Sequence, residues 1–132
     1  MAGKISGLLA VILFLCMAAV TGAAENTPPK VGSPLPEINL LMPNDSADLK
    51  YLGLTSGGKT FKVGRIKAQV VIIQIYSMYC PYCQAEAPNV NRLYGLIENN
   101  PALKDKIKLN GIGVGNTPFE VATYKKKYGV PF

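Results

Sequence analysis

An α/β fold is predicted by three features of the amino-acid sequence. Val70 to Tyr76 is an almost unbroken β-branched run, the composition of a central strand covered on both faces. After it, Val90, Leu93, Tyr94 and Ile97 recur at spacings of three, four and seven, which is one face of a helix. Ile107 to Val114 then alternates apolar and polar residues before turning glycine-rich, the pattern of a second strand. Strand, helix and strand joined by connections of this length imply a parallel βαβ unit. With 132 residues the chain has room for one domain of ordinary size.

The N-terminus precedes that domain and has its own character. Lys4 is followed by Leu8 to Val20, a run of apolar or small residues, and then by Gly22-Ala23-Ala24. A positive start, a short apolar stretch and small residues at its end describe a secretory signal peptide over residues 1–24. Cleavage after Ala23 or Ala24 fits the small-residue rule. The alternative is an uncleaved membrane anchor, since Ile5 to Ala24 just reaches the roughly 20 residues that a span needs. Cys16 lies within the run as one more small apolar residue. Bulky Leu15 before it argues against lipidation. Two cysteines remain in the mature chain, an even number suited to an oxidising compartment. The expected location is the periplasm or another space outside the cytoplasm.

Residues 25–36 form an extended leader. Asn26 to Pro36 holds four prolines, too many for a helix. The domain is expected over residues 37–132. Glu37 to Met42 is a short apolar stretch of strand type, and Pro43-Asn44-Asp45-Ser46 is a turn cluster. Tyr51 to Leu54 and Lys59 to Val63 flank Thr55-Ser56-Gly57-Gly58, which reads as a hairpin closed by a glycine turn.

At the other end, Asn99-Asn100-Pro101 stops the first long helix. Thr117 is expected to cap a second one, with Pro118 in its first turn, where a missing N–H is harmless. Val121, Tyr124 and Tyr128 supply that helix with an apolar side. Lys125, Lys126 and Lys127 fall in its last turn, where cations suit the helix dipole, and Gly129 is placed to end it.

Charge and composition exclude several function classes. The formal charge is +6, yet the basic residues are dispersed apart from Lys125–Lys127, and no nucleic-acid reading element accompanies them. There is no histidine, which removes Cys–His catalysis and the commonest metal ligand. Cys80-Pro81-Tyr82-Cys83 could be half of a zinc site, but the chain has no second pair to complete it. No metal and no organic cofactor is implied.

The remaining chemistry of Cys80 and Cys83 is redox exchange. Cys80 falls where the buried strand ends and the helix begins, facing free backbone N–H groups and the positive end of the helix dipole. Both lower the pKa of a thiol. Cys83, one turn on, is close enough to close a disulfide and is expected to be the more buried. Cys80 would attack a substrate disulfide and Cys83 would resolve the mixed disulfide. A purely structural bridge is the alternative, and closing so short a loop makes it a poor staple.

Val70–Tyr76 followed by Cys80-Pro81-Tyr82-Cys83 resembles the active-site strand, turn and helix of thioredoxin-like proteins. Cys83-Gln84-Ala85-Glu86-Ala87-Pro88 is similar to the C-x-x-E-x-P extension of the exported TlpA/ResA-type thiol–disulfide oxidoreductases. Val31-Gly32-Ser33-Pro34-Leu35-Pro36 resembles the V-G-x-x-x-P segment that precedes their N-terminal hairpin, and Tyr124 to Val130 the end of their next helix. The resemblance covers about residues 31 to 132. Tyr79 stands where that family often has tryptophan, which keeps an aromatic cover.

The resemblance implies a thioredoxin-like fold with an N-terminal β-hairpin extension. It implies dithiol–disulfide exchange with protein thiols or disulfides, and an upstream protein that donates or accepts electrons. For Glu86 it implies an acid–base role beside the cysteines. Otherwise Glu86 is a glutamate in the first turns that suits the helix dipole. Pro88 would kink the helix, or end it at Ala87. The family fold continues into a further hairpin, a cis-proline loop and a last helix, so the C-terminal part is expected to be missing after Phe132. A glutathione-using, glutaredoxin-like activity fits the Pro-Tyr pair but not the C-x-x-E-x-P extension. A function of another class, a non-catalytic binding or structural fragment with a permanently closed disulfide, is the main alternative.

Overall fold

The computed structural model describes residues 28–132. The expected signal peptide over residues 1–24, with Cys16, lies outside the described residues, as does the start of the leader. Two compact units divide between Leu35 and Pro36. In the first, the Lys30 carbonyl accepts from the Ser33 amide at 3.0 Å and from the Ser33 hydroxyl at 2.7 Å, a turn that Gly32 completes at φ 83°.

The second unit is α/β. It runs β1 (Asn39–Leu41), α1 (Ser46–Leu52), β2 (Thr60–Lys62), a 3-10 turn (Val63–Arg65), β3 (Val70–Tyr76), α2 (Pro81–Glu98), β4 (Ile107–Gly113) and α3 (Pro118–Tyr128). β1 and β2 pair antiparallel, with Leu40 opposite Phe61. β3 and β4 pair parallel, with Val70 opposite Ile107 and Tyr76 opposite Gly113. The expected βαβ unit is present, its second strand ending at Gly113, one residue before the expected Val114.

The N-terminal hairpin differs from expectation. Tyr51 and Leu52 end a helix and are not a strand, so the partner of β2 is β1. The reason is local. Asp45, read as a turn residue, is the N-cap of α1, its carboxylate accepting from the Ala47 amide at 2.7 Å. Gly53 at φ 64° closes the other end in the left-handed conformation, where only glycine is free of strain. α1 then turns Leu52 into a core with Phe61, Val63 and Ile66, against which Val71 and Ile73 of β3 pack.

β3 is not covered along its whole length. Val70 is 51% exposed and Ile75 69%, because among the described residues β3 has β4 as its one neighbour. The outer side of β4 is closed differently. The Leu109 amide donates to the Tyr51 hydroxyl at 2.9 Å, and Lys108 lies 4.3 Å above the Tyr51 ring and 3.6 Å from Glu98. A side-chain hydroxyl from α1 thus takes the place of a further strand at that amide. Burial pushes the Tyr51 phenol up to about 12.

α2 passes through Pro88 without ending and stops at the C-cap Asn99. Its buried residues are Ala87 and Ile97, whereas Leu93, expected on the inner face, is 40% exposed. The apolar stripe is narrower than the spacing suggested: Tyr94 packs against Tyr51 of α1 and against Phe132, while Leu93 and Leu96 stay exposed. α3 starts with a full capping box. The Thr117 hydroxyl accepts from the Glu120 amide, and the Glu120 carboxylate accepts from the Thr117 amide at 2.6 Å. Gly129 ends it at φ 61°, as expected. Of its three lysines Lys125 is not free in water, since it reaches Asp48 of α1 at 2.9 Å. Thr117→Ala is expected to lower stability by about 1 kcal/mol, within the usual range for a lost N-cap. A denaturant melt with an unmoved midpoint would contradict this role.

No helix among the described residues is long and apolar enough to cross a membrane.

Candidate functional site

Cys80 is the N-cap of α2. Its backbone is extended (φ −83°, ψ 113°), its carbonyl accepts the first helical bond from Gln84 at 3.1 Å, and Pro81 follows in the first turn. A cap residue without a cap bond of its own leaves the first amides of the helix to its side chain. Those amides stay open beside Cys80, which makes no side-chain cap bond to them. The thiol is held below its ordinary range first by the Cys83 N–H and then by the Cys83 thiol, against the opposing effect of burial, with a last and smallest contribution from the Tyr82 N–H. Both cysteines are half-buried and in the dithiol form. Cys83, unlike Cys80, packs on the core cluster of Tyr76, Ala87 and Tyr124.

The turn between β3 and α2 is held from the side by the β4–α3 connection. The Met78 amide donates to Asn116 Oδ1 at 3.0 Å, and Gln84 Nε2 donates to the Met78 carbonyl at 2.7 Å. The Tyr79 hydroxyl donates to the Glu120 carboxylate. That bond, with the Thr117 amide and hydroxyl behind it, holds Glu120 below the usual carboxylate range, while Glu120 pushes the Tyr79 phenol up. Glycine is needed nearby. A Cβ on Gly113 would stand 2.9 Å from Val121 Cγ2 and 3.3 Å from Asn116 Oδ1, so a larger residue would force these side chains to shift.

Below the pair lies Tyr124. Its ring stacks on Tyr76 with centroids 4.5 Å apart, and its hydroxyl donates to the Cys83 carbonyl at 2.8 Å. Burial, and then the neighbouring Cys83, push this phenol up. A cleft of about 1040 Å³, lined among others by Leu40, Phe61 and Gln74, shares Tyr76 and Tyr124 with this floor, but neither cysteine lines it.

Of the residues expected to act, Cys80 and Cys83 lie together at the start of α2. Glu86 is on an exposed part of the same helix, where its carboxylate accepts from Asn89 Nδ2 at 3.1 Å. Sequence reasoning missed Asn116, Glu120 and the hydroxyl of Tyr124. The Thr117-x-x-Glu120 capping box was a readable signal for Glu120. Tyr124 was readable only as an apolar residue, because its partner is 41 positions away. Among the described residues no three of His, Cys, Asp and Glu converge as metal ligands.

Comparisons with protein-family models, curated proteins and solved structures gave no match.

Proposed function

We propose that this chain is a thiol–disulfide oxidoreductase of thioredoxin-like type, similar to the exported TlpA/ResA class, acting on protein thiols or disulfides outside the cytoplasm. The observation that carries the reading is the position of Cys80 as the uncapped N-cap of α2, its thiol held low by the N–H and the thiol of Cys83. A thiolate in that place is the nucleophile that exchange requires. It attacks one sulfur of a substrate disulfide and releases the other as a thiol. Cys83, one turn deeper, then attacks the Cys80 sulfur and frees the substrate. Two electrons pass from the pair to the substrate, and the pair ends as a disulfide. Glu86 is offered as the group that moves protons between Cys83 and solvent. Residues 1–24 are offered as the export signal.

Insulin reduction in the presence of dithiothreitol tests this. Catalysed precipitation of the insulin B chain is expected. A rate no higher than with dithiothreitol alone would favour the second reading, a non-catalytic binding fragment, which the exposed apolar side chains of Val70 and Ile75 on β3 support.

A further inference from the structure

Tyr124 is only 2% exposed, and its ring is fixed between Tyr76 at 4.5 Å and Tyr128 at 4.7 Å. Nothing in the exchange chemistry above uses it. Yet its hydroxyl makes the one specific polar contact between α3 and the backbone of a cysteine among the described hydrogen bonds, donating to the Cys83 carbonyl at 2.8 Å. That carbonyl is next to a weak point of the helix. Pro88 has no N–H to give the carbonyl of Gln84, and a proline ring inside a helix spreads the preceding turn. The hydroxyl therefore pins the first turn of α2 one residue before the carbonyl that Pro88 leaves without a helical donor. Cys83, so pinned, provides the two leading contacts that favour the Cys80 thiolate, its N–H and its thiol.

We infer that Tyr124 is a positioning residue for the dithiol, fixing Cys83 against Cys80 through the Cys83 carbonyl and so setting the balance between dithiol and disulfide. The inference rests on the thiol–disulfide reading. Removing the hydroxyl loosens Cys83, weakens the hold on the Cys80 thiolate and makes the reduced form less favoured.

The test is equilibrium exchange with glutathione. Cys80 as thiolate attacks glutathione disulfide and releases one glutathione. Cys83 attacks the mixed disulfide and releases the second. Two electrons move from the pair to glutathione, the Cys83 proton leaves with one glutathione, and the other glutathione thiolate takes its proton from solvent. Tyr124→Phe keeps the ring and its stacking but removes the donor. In the full chain it is expected to shift the equilibrium toward the protein disulfide by about two- to tenfold, the span of one hydrogen bond of ordinary net strength. A tenfold shift corresponds to about 30 mV for this two-electron couple. Tyr128→Phe, on the same helix, is expected to leave the equilibrium where it was. No shift in Tyr124→Phe, or an equal shift in both variants, overturns the inference. If Tyr124→Phe does not fold, the native chain answers instead. The carbon-13 resonance of the Tyr124 phenol carbon must differ between the oxidised and reduced forms while that of Tyr51 does not, and identical Tyr124 resonances overturn the inference. Failure of insulin turnover would sink the functional reading separately, since exchange with glutathione needs no protein partner.

Discussion

Cys80→Ser is expected to reduce insulin turnover to the level of dithiothreitol alone, whereas Cys83→Ser is expected to stall as a mixed disulfide with its substrate. The asymmetry follows from the start of α2. Cys80 stands beside the open N–H groups of the first helical turn, and Cys83 packs on Tyr76, Ala87 and Tyr124. A serine hydroxyl at position 80 is not ionised near neutral pH and cannot attack a disulfide, so nothing replaces the lost nucleophile. Serine at position 83 keeps both the backbone N–H and a hydroxyl donor. The Cys80 thiolate should therefore remain favoured, with attack intact and resolution lost.

The same geometry sets a pH dependence. The folded chain holds the Cys80 thiol below its ordinary value, so the thiolate persists as the pH falls and is lost only on passing through the lowered pKa. Alkylation of Cys83→Ser by iodoacetamide should then inflect below the roughly 8.5 of a free cysteine. Unfolding the chain in denaturant should return the inflection to that ordinary value. An inflection that is the same in the folded and unfolded chain would mean that the helix start does nothing for the thiol.

The parts of this molecule legible in its sequence are those with local causes. Val70–Tyr76 reads as a strand from its own composition. Cys80-Pro81 marks the helix start, and Thr117-Pro118 with Gly129 brackets α3, because each boundary depends on residues within a turn of it. The N-terminal hairpin was misread where one residue type serves two purposes. Asp45 suits a turn and an N-cap equally, and the choice is made by Leu52, which finds Phe61 and Ile66 only when α1 forms. Coverage of β3 was also beyond local reading, since it depends on which strands pair beside it.

The candidate site divides in the same way. The spacing of Cys80 and Cys83 announces the chemistry, and the strand-to-helix junction announces which sulfur is activated. What surrounds the pair comes from farther off. Asn116 meets Met78, Glu120 meets Tyr79 and Tyr124 meets Cys83, each across some forty residues. These contacts exist because β4 lies parallel to β3 and delivers the start of α3 to the same end of the sheet. Once that register is known the contacts follow, but the register is set by packing.

Leu109→Ala is expected to be the most damaging single truncation in the core, lowering stability by about 2–5 kcal/mol. Leu109 is 1% exposed at the middle of β4, opposite Ile72, and its amide is the donor to Tyr51. Removing the side chain gives up its transfer free energy and leaves a cavity. The sheet at that point has two strands, so little else can move in to fill the gap. The size matters against the whole. Domains are stable by only about 5–15 kcal/mol, and two strands of this sheet already leave Val70 and Ile75 in water. A loss at the upper end would cancel the whole stability of a domain at the low end of that range. Leu96→Ala is the control, because Leu96 is 65% exposed on the outer face of α2 and its truncation should change stability by no more than about 0.5 kcal/mol. Guanidinium melts of the two variants should show a large fall in midpoint for Leu109→Ala at unchanged slope, and almost none for Leu96→Ala. A loss under about 1 kcal/mol at Leu109, below the usual range for a filled core position, would mean that β4 is not held by the packing described, and that the platform presenting α3 to the cysteine pair owes its order to something else.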